Sequence, residues 1–312
     1  MSEAMPKKDI PANGNGAADG MMRRAAFAAV AVAVTLVTLK AIVYWTTDSV
    51  AMLGTLMDSL LDGAASLLNL IAVRASLLPP DNEHRFGHGK AEALAGLGQS
   101  IFIFGSAGYL TYEGVSRLID PKPVASTEAG IAVVIIAILL TLALVAYQRH
   151  VVKQTGSLAI EADSIHYRGD LFMNLSVIAA LVLSGYFGLH RADAVFGLVI
   201  AGLIAWSAGK IVLNSLDQLM DREFTEEERA RIKDIAHAHE AVLSLHDLKT
   251  RRSGIYSFIQ FHIELDGKMT LHDAHDITDA VERDVLAAFP GSEVIIHQDP
   301  AGAETLTKFQ LS

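Results

Sequence analysis

The sequence predicts a membrane protein in two parts: an all-α transmembrane domain of six helices, and a small cytoplasmic α+β domain after it. Hydrophobic residues make up 51% of the 312 residues, charged residues 19%, and the mean hydropathy is +0.35. Six stretches each supply roughly 20 mostly apolar residues, the length that crosses the hydrocarbon core of a bilayer. After Asp221 these runs stop, and shorter helix and strand patterns begin.

The six predicted spans are separated by short connections. They lie at about 25–46, 50–78, 91–116, 127–148, 158–187 and 192–215. The first is too long for the core of a signal peptide and lacks a convincing cleavage site, so we interpret it as a retained span. The Gly-, Asn- and Ala-rich tract before it is typical of a disordered tail. The predicted domains are a disordered cytoplasmic tail, a transmembrane domain, a cytoplasmic domain and a terminal tail, at 1–22, 23–216, 217–303 and 304–312.

The orientation follows from the Lys and Arg residues near the ends of the spans, because cytoplasmic connections carry an excess of them. With six spans, ten such residues fall on the side of the two termini and three fall on the other side. Both termini are therefore predicted to be cytoplasmic.

The cytoplasmic domain shows the order αββαβ, which predicts one sheet with two helices on one face. The predicted elements are a helix, two strands, a helix and a strand, at 225–239, 242–249, 257–265, 271–288 and 293–297. Thr225 and Glu228 have the spacing of a capping box at the start of the first helix. In the second strand the apolar residues alternate and should share one face, namely Ile259, Phe261, Ile263 and Leu265.

The charge and the cysteine content restrict which partners the protein can bind. From Leu216 onward there are nineteen Asp and Glu against ten Lys and Arg, and seven of the twelve histidines lie there. An acidic, His-rich domain fits the attraction of cations better than the binding of nucleic acid. The chain contains no cysteine. Disulfides and thiolate ligands are therefore excluded, and any metal must be held by His and carboxylate.

Two pairs of ionisable residues lie within or at the edge of the apolar runs: Asp58 with Asp62, and His166 with Asp170. Each pair has i,i+4 spacing, which places both side chains on one face of a helix. Three carboxylates and an imidazole are a ligand set for zinc, iron(II) or manganese. An imidazole must be deprotonated to bind metal, so proton uptake can expel the ion. The alternative is that the aspartates are buried polar residues bonded to Ser59 or to other helices.

A second candidate site is the cytoplasmic connection between the second and third predicted spans. Asp81, His84 and His88 are within chelating reach on a tight loop, and Gly87 and Gly89 allow the backbone to fold around an ion. The alternative is a solvated turn that only positions the two helices.

A third candidate site lies in the cytoplasmic domain and comprises His246, His262, His275, His297 and Asp299. His297 and Asp299 are two residues apart, so both face the same side of an extended strand. His262 lies on the polar face of another strand. The alternative is a set of ordinary surface histidines.

These residues, in this order, resemble the cation diffusion facilitator family, specifically its bacterial zinc and iron efflux branch. The resemblance covers the chain from the first span to Pro300. The segments that carry it are Asp58 to Asp62, Phe86 to Glu92, His166 to Asp170, His246 to Arg251 and Ile295 to Pro300.

The resemblance implies a homodimeric, proton-coupled antiporter in the inner membrane, not an enzyme, that exports zinc, with cadmium, iron(II) or manganese as alternatives. It implies a ferredoxin-like shape for the cytoplasmic domain, which would bind regulatory zinc and tighten the dimer. The implied transport site is Asp58, Asp62, His166 and Asp170; the loop site is Asp81, His84 and His88; the binuclear cytoplasmic site is His246, His262, His275, His297 and Asp299. Lys90 and Asp221 would form a charge cluster between subunits. Glu83 and Arg85 depart from the family pattern and alter the charge of the loop.

Two other classes of protein remain open from the residues. An intramembrane protease could use paired aspartates or zinc. However, H-E-x-x-H is missing from the sequence, and Gly169-Asp170 lacks the preceding Gly of the aspartyl type. A membrane-anchored metal sensor would show metal-dependent dimerisation without ion flux.

Overall fold

A computed structural model describes residues 16–47, 50–120, 128–187 and 192–302. Those residues form two compact units, which meet in sequence between Leu219 and Met220. Residues 1–15 of the predicted amino-terminal tail and the whole of the predicted terminal tail, 304–312, lie outside the described residues.

The first unit consists of six long helices. They are α1 (Gly16–Thr47), α2 (Val50–Ser76), α3 (Lys90–Ile119), α4 (Glu128–Thr155), α5 (Leu158–Phe187) and α6 (Ala192–Leu219). In the part of the chain that the structure describes, five of them are long and apolar enough to cross a membrane. The other, α5, has similar length but carries four charged residues in its first half: Glu161, Asp163, Arg168 and Asp170. The predicted helical transmembrane domain is confirmed.

The first helix begins earlier than predicted. α1 starts at Gly16, so the prediction of disorder is wrong for residues 16–22. Asp19 lies in the first turn, where a negative charge is favourable beside the positive end of the helix dipole. Met22, Ala25 and Ala26 are fully buried, so packing of this turn supplies stability that the Gly- and Asn-rich composition did not indicate.

Within the membrane unit, α3 packs most extensively against α6, and α5 packs between α4 and α6. Small residues allow the close approach of α3 to α6. A Cβ atom on Gly96 would lie 2.6 Å from Oγ of Ser215, and one on Gly114 would lie 2.9 Å from Cγ of Leu198. Small residues at helix contacts are the usual means of close packing in membranes.

The second unit has the predicted order αββαβ. Its elements are α7 (Glu226–His237), β1 (Ser244–Ser253), β2 (Tyr256–Leu265), α8 (Leu271–Ala288) and β3 (Ser292–Pro300). The sheet order is β1-β2-β3, with β1 antiparallel and β3 parallel to β2. A parallel pair needs a crossover connection, and α8 supplies it. The capping box of Thr225 and Glu228 is present.

One face of the sheet forms the core of this unit. The alternating residues of β2 are buried as predicted, namely Ile259, Phe261, Ile263 and Leu265. They pack with Ile232 of α7 and with Val281 and Val285 of α8. The polar side chains of β2 are thereby left on the opposite face, where His262 is available to ligands.

Candidate metal centre

The two polar helix turns predicted from the sequence meet in the membrane unit. Nε2 of His166 on α5 lies 3.0 Å from Oδ1 of Asp62 on α2, and 3.8 Å from Oδ2 of Asp170. One ligand atom from each of these three residues lies within 4.8 Å of the others. An imidazole and two carboxylates at this spacing can share one divalent cation.

Asp58 lies one turn before Asp62 on α2, and its side chain is exposed. It is not part of the group of three whose ligand atoms converge. Asp58 therefore remains a predicted ligand, one helical turn from the cluster.

A cavity of about 30 Å³ adjoins the cluster. It is lined by Asp62 and Asp170 together with Lys40, Ser59, Tyr167, Asn174, Thr141, Ala33, Leu36 and Ala137. A polar cavity needs roughly 10 to 15 Å³ of such space to hold one water molecule. The cluster therefore has room beside it for an ion or water.

Lys40 is a site residue that the sequence reasoning missed. Its Nζ donates hydrogen bonds to Oγ of Ser59 at 2.6 Å and to the carbonyl oxygen of Thr55 at 3.1 Å, both on α2. Its side chain lines the same cavity as Asp62 and Asp170. The signal was present in the sequence, because a lysine within an apolar run indicates function just as an aspartate does.

A buried polar network supports the cluster from the first half of α5. Asp163 lies three residues before His166 and is fully buried, and its Oδ2 accepts a hydrogen bond from Nε2 of Gln148 on α4 at 2.6 Å. The hydroxyl of Tyr167 lies 2.8 Å from Oγ of Ser66 and donates to the carbonyl of Ala29 at 3.2 Å. These bonds fix the orientation of α5 against α1, α2 and α4.

The loop residues also converge. Oδ1 of Asp81 accepts hydrogen bonds from the backbone N–H groups of Glu83 and His84, at 2.8 and 2.6 Å. The hydrogen bond from His84 is the main reason that the pKa of Asp81 lies below its ordinary value. Nδ1 of His84 and Nε2 of His88 lie 3.5 and 3.4 Å from the Asp81 carboxylate. Gly87 adopts a φ of 75°, as the sequence predicted for a tight loop.

In the second unit, three histidines form a row across the sheet. His262 on β2 pairs in register with His246 on β1 and with His297 on β3. The carboxylate of Asp299 lies beside all three: Oδ2 is 2.8 Å from Nδ1 of His262 and 3.2 Å from Nε2 of His246, and Oδ1 is 3.3 Å from Nε2 of His297. His246, His262 and Asp299 have ligand atoms within 4.8 Å of one another.

Asp299 is held as a carboxylate in this row. Burial acts to raise its pKa, but the hydrogen bond from His262 and the charges of the neighbouring histidines outweigh burial, so the pKa lies below its ordinary value. Nε2 of His246 is buried and lies 3.2 Å from the Asp299 carboxylate, but the two atoms do not have the geometry of a hydrogen bond. A buried ring nitrogen that lies beside a carboxylate without a hydrogen bond to it fits a metal ligand.

The remaining predicted residues are placed as follows. His275 lies on α8 with its Nδ1 3.8 Å from Asp279, and it is not in the group of His246, His262 and Asp299. Nζ of Lys90 donates to the carbonyl oxygen of Leu219 at 3.2 Å. Oδ1 of Asp221 accepts from Nη1 of Arg251 at 3.3 Å. The charge cluster between subunits stays a prediction.

A carboxylate and imidazole cluster inside a bundle of apolar helices defines a membrane protein that handles metal cations, and the comparisons with known proteins agree. The cation efflux transmembrane domain matches residues 26–220, and the cytoplasmic domain of cation efflux proteins matches residues 224–301. The chain belongs to the cation diffusion facilitator family.

Two bacterial relatives of known name, both FieF proteins, support this membership. The cation-efflux pump FieF of Shewanella oneidensis is 48% identical over 290 residues, which are 93% of this chain and 98% of the relative. FieF of Cronobacter sakazakii is 49% identical over 280 residues, which are 90% and 93%. The solved metal-bound C-terminal domain of the CzcD transporter from Thermotoga maritima is 32% identical, covers 25% of this chain and 91% of that chain, and gives a TM-score of 0.24.

The protein is therefore a multi-pass membrane transporter for the efflux of metal cations. It is a transporter rather than an enzyme, so the alternative of an intramembrane protease is excluded. The match of the carboxy-terminal domain indicates a homodimer whose substrate is a metal ion.

Proposed function

We propose that this transporter is a proton-coupled antiporter of the inner membrane, with both termini cytoplasmic, that exports zinc from the cytoplasm. The observation that carries the proposal is the contact of 3.0 Å between His166 of α5 and Asp62 of α2. Two helices that each offer a polar turn at one point can hold an ion between them and release it when they separate.

Asp58, Asp62, His166 and Asp170 form the transport site in this proposal. The imidazole of His166 binds metal only when neutral, so metal entry displaces its proton, and proton uptake from the other side expels the metal. An inward proton supplies about 2.3 kcal/mol per 100 mV of membrane potential. The sequence contains no G-x-x-x-x-G-K-[ST] motif, which is the usual phosphate-binding loop for nucleotides. This agrees with transport that is driven by the electrochemical proton gradient and not by a nucleotide.

Zinc suits a site of three carboxylates and one imidazole, because it accepts nitrogen and oxygen ligands in a tetrahedral set. Cadmium, iron(II) and manganese accept the same ligands, and the order of affinities alone does not decide which is carried. Zinc is therefore the first ion to test, and the other three form the comparison panel.

The histidine row is proposed to hold resident zinc that stabilises and regulates the dimer. His246, His262, His297 and Asp299 would bind it, with His275 as a further predicted ligand, and the position of the buried Nε2 of His246 beside the Asp299 carboxylate supports this assignment. His262→Ala is expected to weaken dimerisation or activation by metal while leaving some transport. Asp81, His84 and His88 form the proposed loop site, and Lys90 with Asp221 the proposed contact between subunits.

The experiment is zinc uptake by vesicles that contain the purified full-length protein and an acidic interior. Wild type should take up zinc while the interior becomes more alkaline, and Asp62→Ala should lose both signals. Asp120→Ala is the matched control because Asp120 lies at the end of α3, and it should keep both.

Three outcomes would oppose the proposal. Zinc uptake without proton movement would contradict the coupling of zinc to protons. Zinc uptake that survives in Asp62→Ala would contradict the assignment of the transport site. Metal-dependent dimerisation without any flux would instead favour the membrane-anchored sensor.

A further inference from the structure

Lys40 places an ammonium group within the membrane unit, beside the proposed transport site. It projects from an otherwise apolar part of α1 and lines the same cavity as Asp62 and Asp170. A charged side chain at this depth is costly unless charges or hydrogen bonds compensate for it. Oγ of Ser59 and the carbonyl oxygen of Thr55 accept its hydrogen bonds at 2.6 and 3.1 Å.

These two bonds hold the ammonium toward α2. Asp62 and Asp170 line the same cavity, and Asp58 directly precedes Ser59, so the charges of these carboxylates act on the ammonium at short range. With a neutral imidazole, three carboxylates and one ammonium leave two negative charges. A divalent cation neutralises that charge completely, whereas without Lys40 the loaded site would keep one negative charge inside the bilayer.

We propose that Lys40 is a fixed counter-charge of the transport site, which sets the loaded site to neutrality and keeps the ion bound weakly enough to leave. The inference rests on the proposed function, because it takes Asp62 and Asp170 as ligands of the transported ion. Lys40 is a positioning and selectivity residue in this view, since it acts on the ion through charge and does not bind it.

Removal of this charge should raise the affinity of the site for the ion and slow the release of the ion. Unit charges several ångströms apart in a protein interact strongly enough to change an affinity by about tenfold or more. In Lys40→Gln the KM for zinc should therefore fall by about tenfold or more while kcat falls as well. A residue that only tied α1 to α2 would lower activity without lowering KM.

The test measures initial rates of zinc uptake by vesicles of the full-length protein at a fixed pH gradient. Lys40→Arg keeps the charge and should keep a KM close to wild type. Lys210→Gln is the matched control, because the Lys210 ammonium lies over the ring of Trp206 on α6, 5.5 Å from its centroid. Its kinetics should be unchanged.

Ser59→Ala provides a second variant should Lys40→Gln fail to fold. It keeps the charge of Lys40 but removes one of the two hydrogen bonds of the ammonium. The ammonium can then approach the carboxylates and compete with zinc, so the KM for zinc should rise. An unchanged or raised KM in Lys40→Gln, or an unchanged or lowered KM in Ser59→Ala, overturns the proposal. Failure of the proposed function is separate, because it would appear as absent uptake by wild type or full uptake by Asp62→Ala.

Discussion

Nε2 of His166 and Oδ1 of Asp62 lie 3.0 Å apart, although 104 residues separate them in the sequence. The contact joins α5 to α2 and brings an imidazole to a carboxylate within the apolar helices of the membrane unit. Because each of the two side chains offers one ligand atom to the same cluster, replacing either of them should change which ion the site prefers.

His166→Cys should convert the site to a cadmium site. Thiolate is a soft ligand that favours cadmium over hard cations. The native chain contains no cysteine, so a thiolate-to-cadmium absorption band in His166→Cys can come from that position alone. His237→Cys, at an exposed position of α7, should give no such band with one equivalent of cadmium. A band that persists unchanged when Asp62→Ala is added would contradict a shared site.

Much of the fold follows from local patterns. The alternation in β2 predicted the buried face of Ile259 and Phe261, and the spacing of Thr225 and Glu228 predicted the start of α7. These signals succeed because strand period and helix capping depend on residues close in sequence. The start of α1 was missed because the burial of Met22 depends on tertiary packing.

The candidate sites were predicted less completely. Spacing of i,i+4 identified the aspartates and His166, since both members of each pair lie on one helix face. The row of His246, His262 and His297 depends on strand register, which spacing within one strand cannot supply. Lys40 is marked in the sequence only as a lysine within an apolar run, and no motif within α1 assigns it to the site because its partners lie on α2.

Gly87→Ala should weaken metal binding at the loop site. Gly87 has a φ of 75°, and an alanine forced into left-handed backbone costs about 1 to 2 kcal/mol. Because metal binding orders the loop in this conformation, the strain opposes binding, and affinity should fall by about five- to thirtyfold. Gly89→Ala is the control, because Gly89 has a φ of −53° that alanine adopts readily. Titration of the full-length variants with zinc measures the difference, and equal affinities would oppose this account of the loop.

Gly114→Ala should destabilise the contact between α3 and α6. The added Cβ would lie 2.9 Å from Cγ of Leu198 and 3.3 Å from the carbonyl oxygen of Ala194, so the helices must separate. Overpacking of this kind costs about 1 to 3 kcal/mol. In Gly98→Ala, on the same helix, the Cβ meets nothing within 4 Å, and higher helix propensity should raise stability slightly. Thermal unfolding in detergent should give shifts of opposite sign, and shifts of the same sign would count against the packing described.

The Asp299 carboxylate should stabilise the second unit in a pH-dependent way when metal is removed by a chelator. Because its pKa is lowered on folding, the stabilisation is present above the ordinary aspartate pKa of about 3.9 and is lost as pH falls through the lower folded value. Asp299→Asn should lose about 1.5 to 3 kcal/mol at pH 7, the usual contribution of a hydrogen bond to a charged group. Amide hydrogen exchange in β2 and β3 of the full-length protein measures this, and unchanged protection would contradict it.

The number of zinc ions bound to the membrane unit is the measurement that tests the central claim most directly. In a full-length variant that carries Asp81→Ala and His262→Ala to weaken the other two sites, we expect one zinc per chain. X-ray absorption should show only nitrogen and oxygen ligands, and the ion should be lost on adding either Asp62→Ala or Asp170→Ala. Retention of that zinc in both variants would show that α2 and α5 do not share an ion.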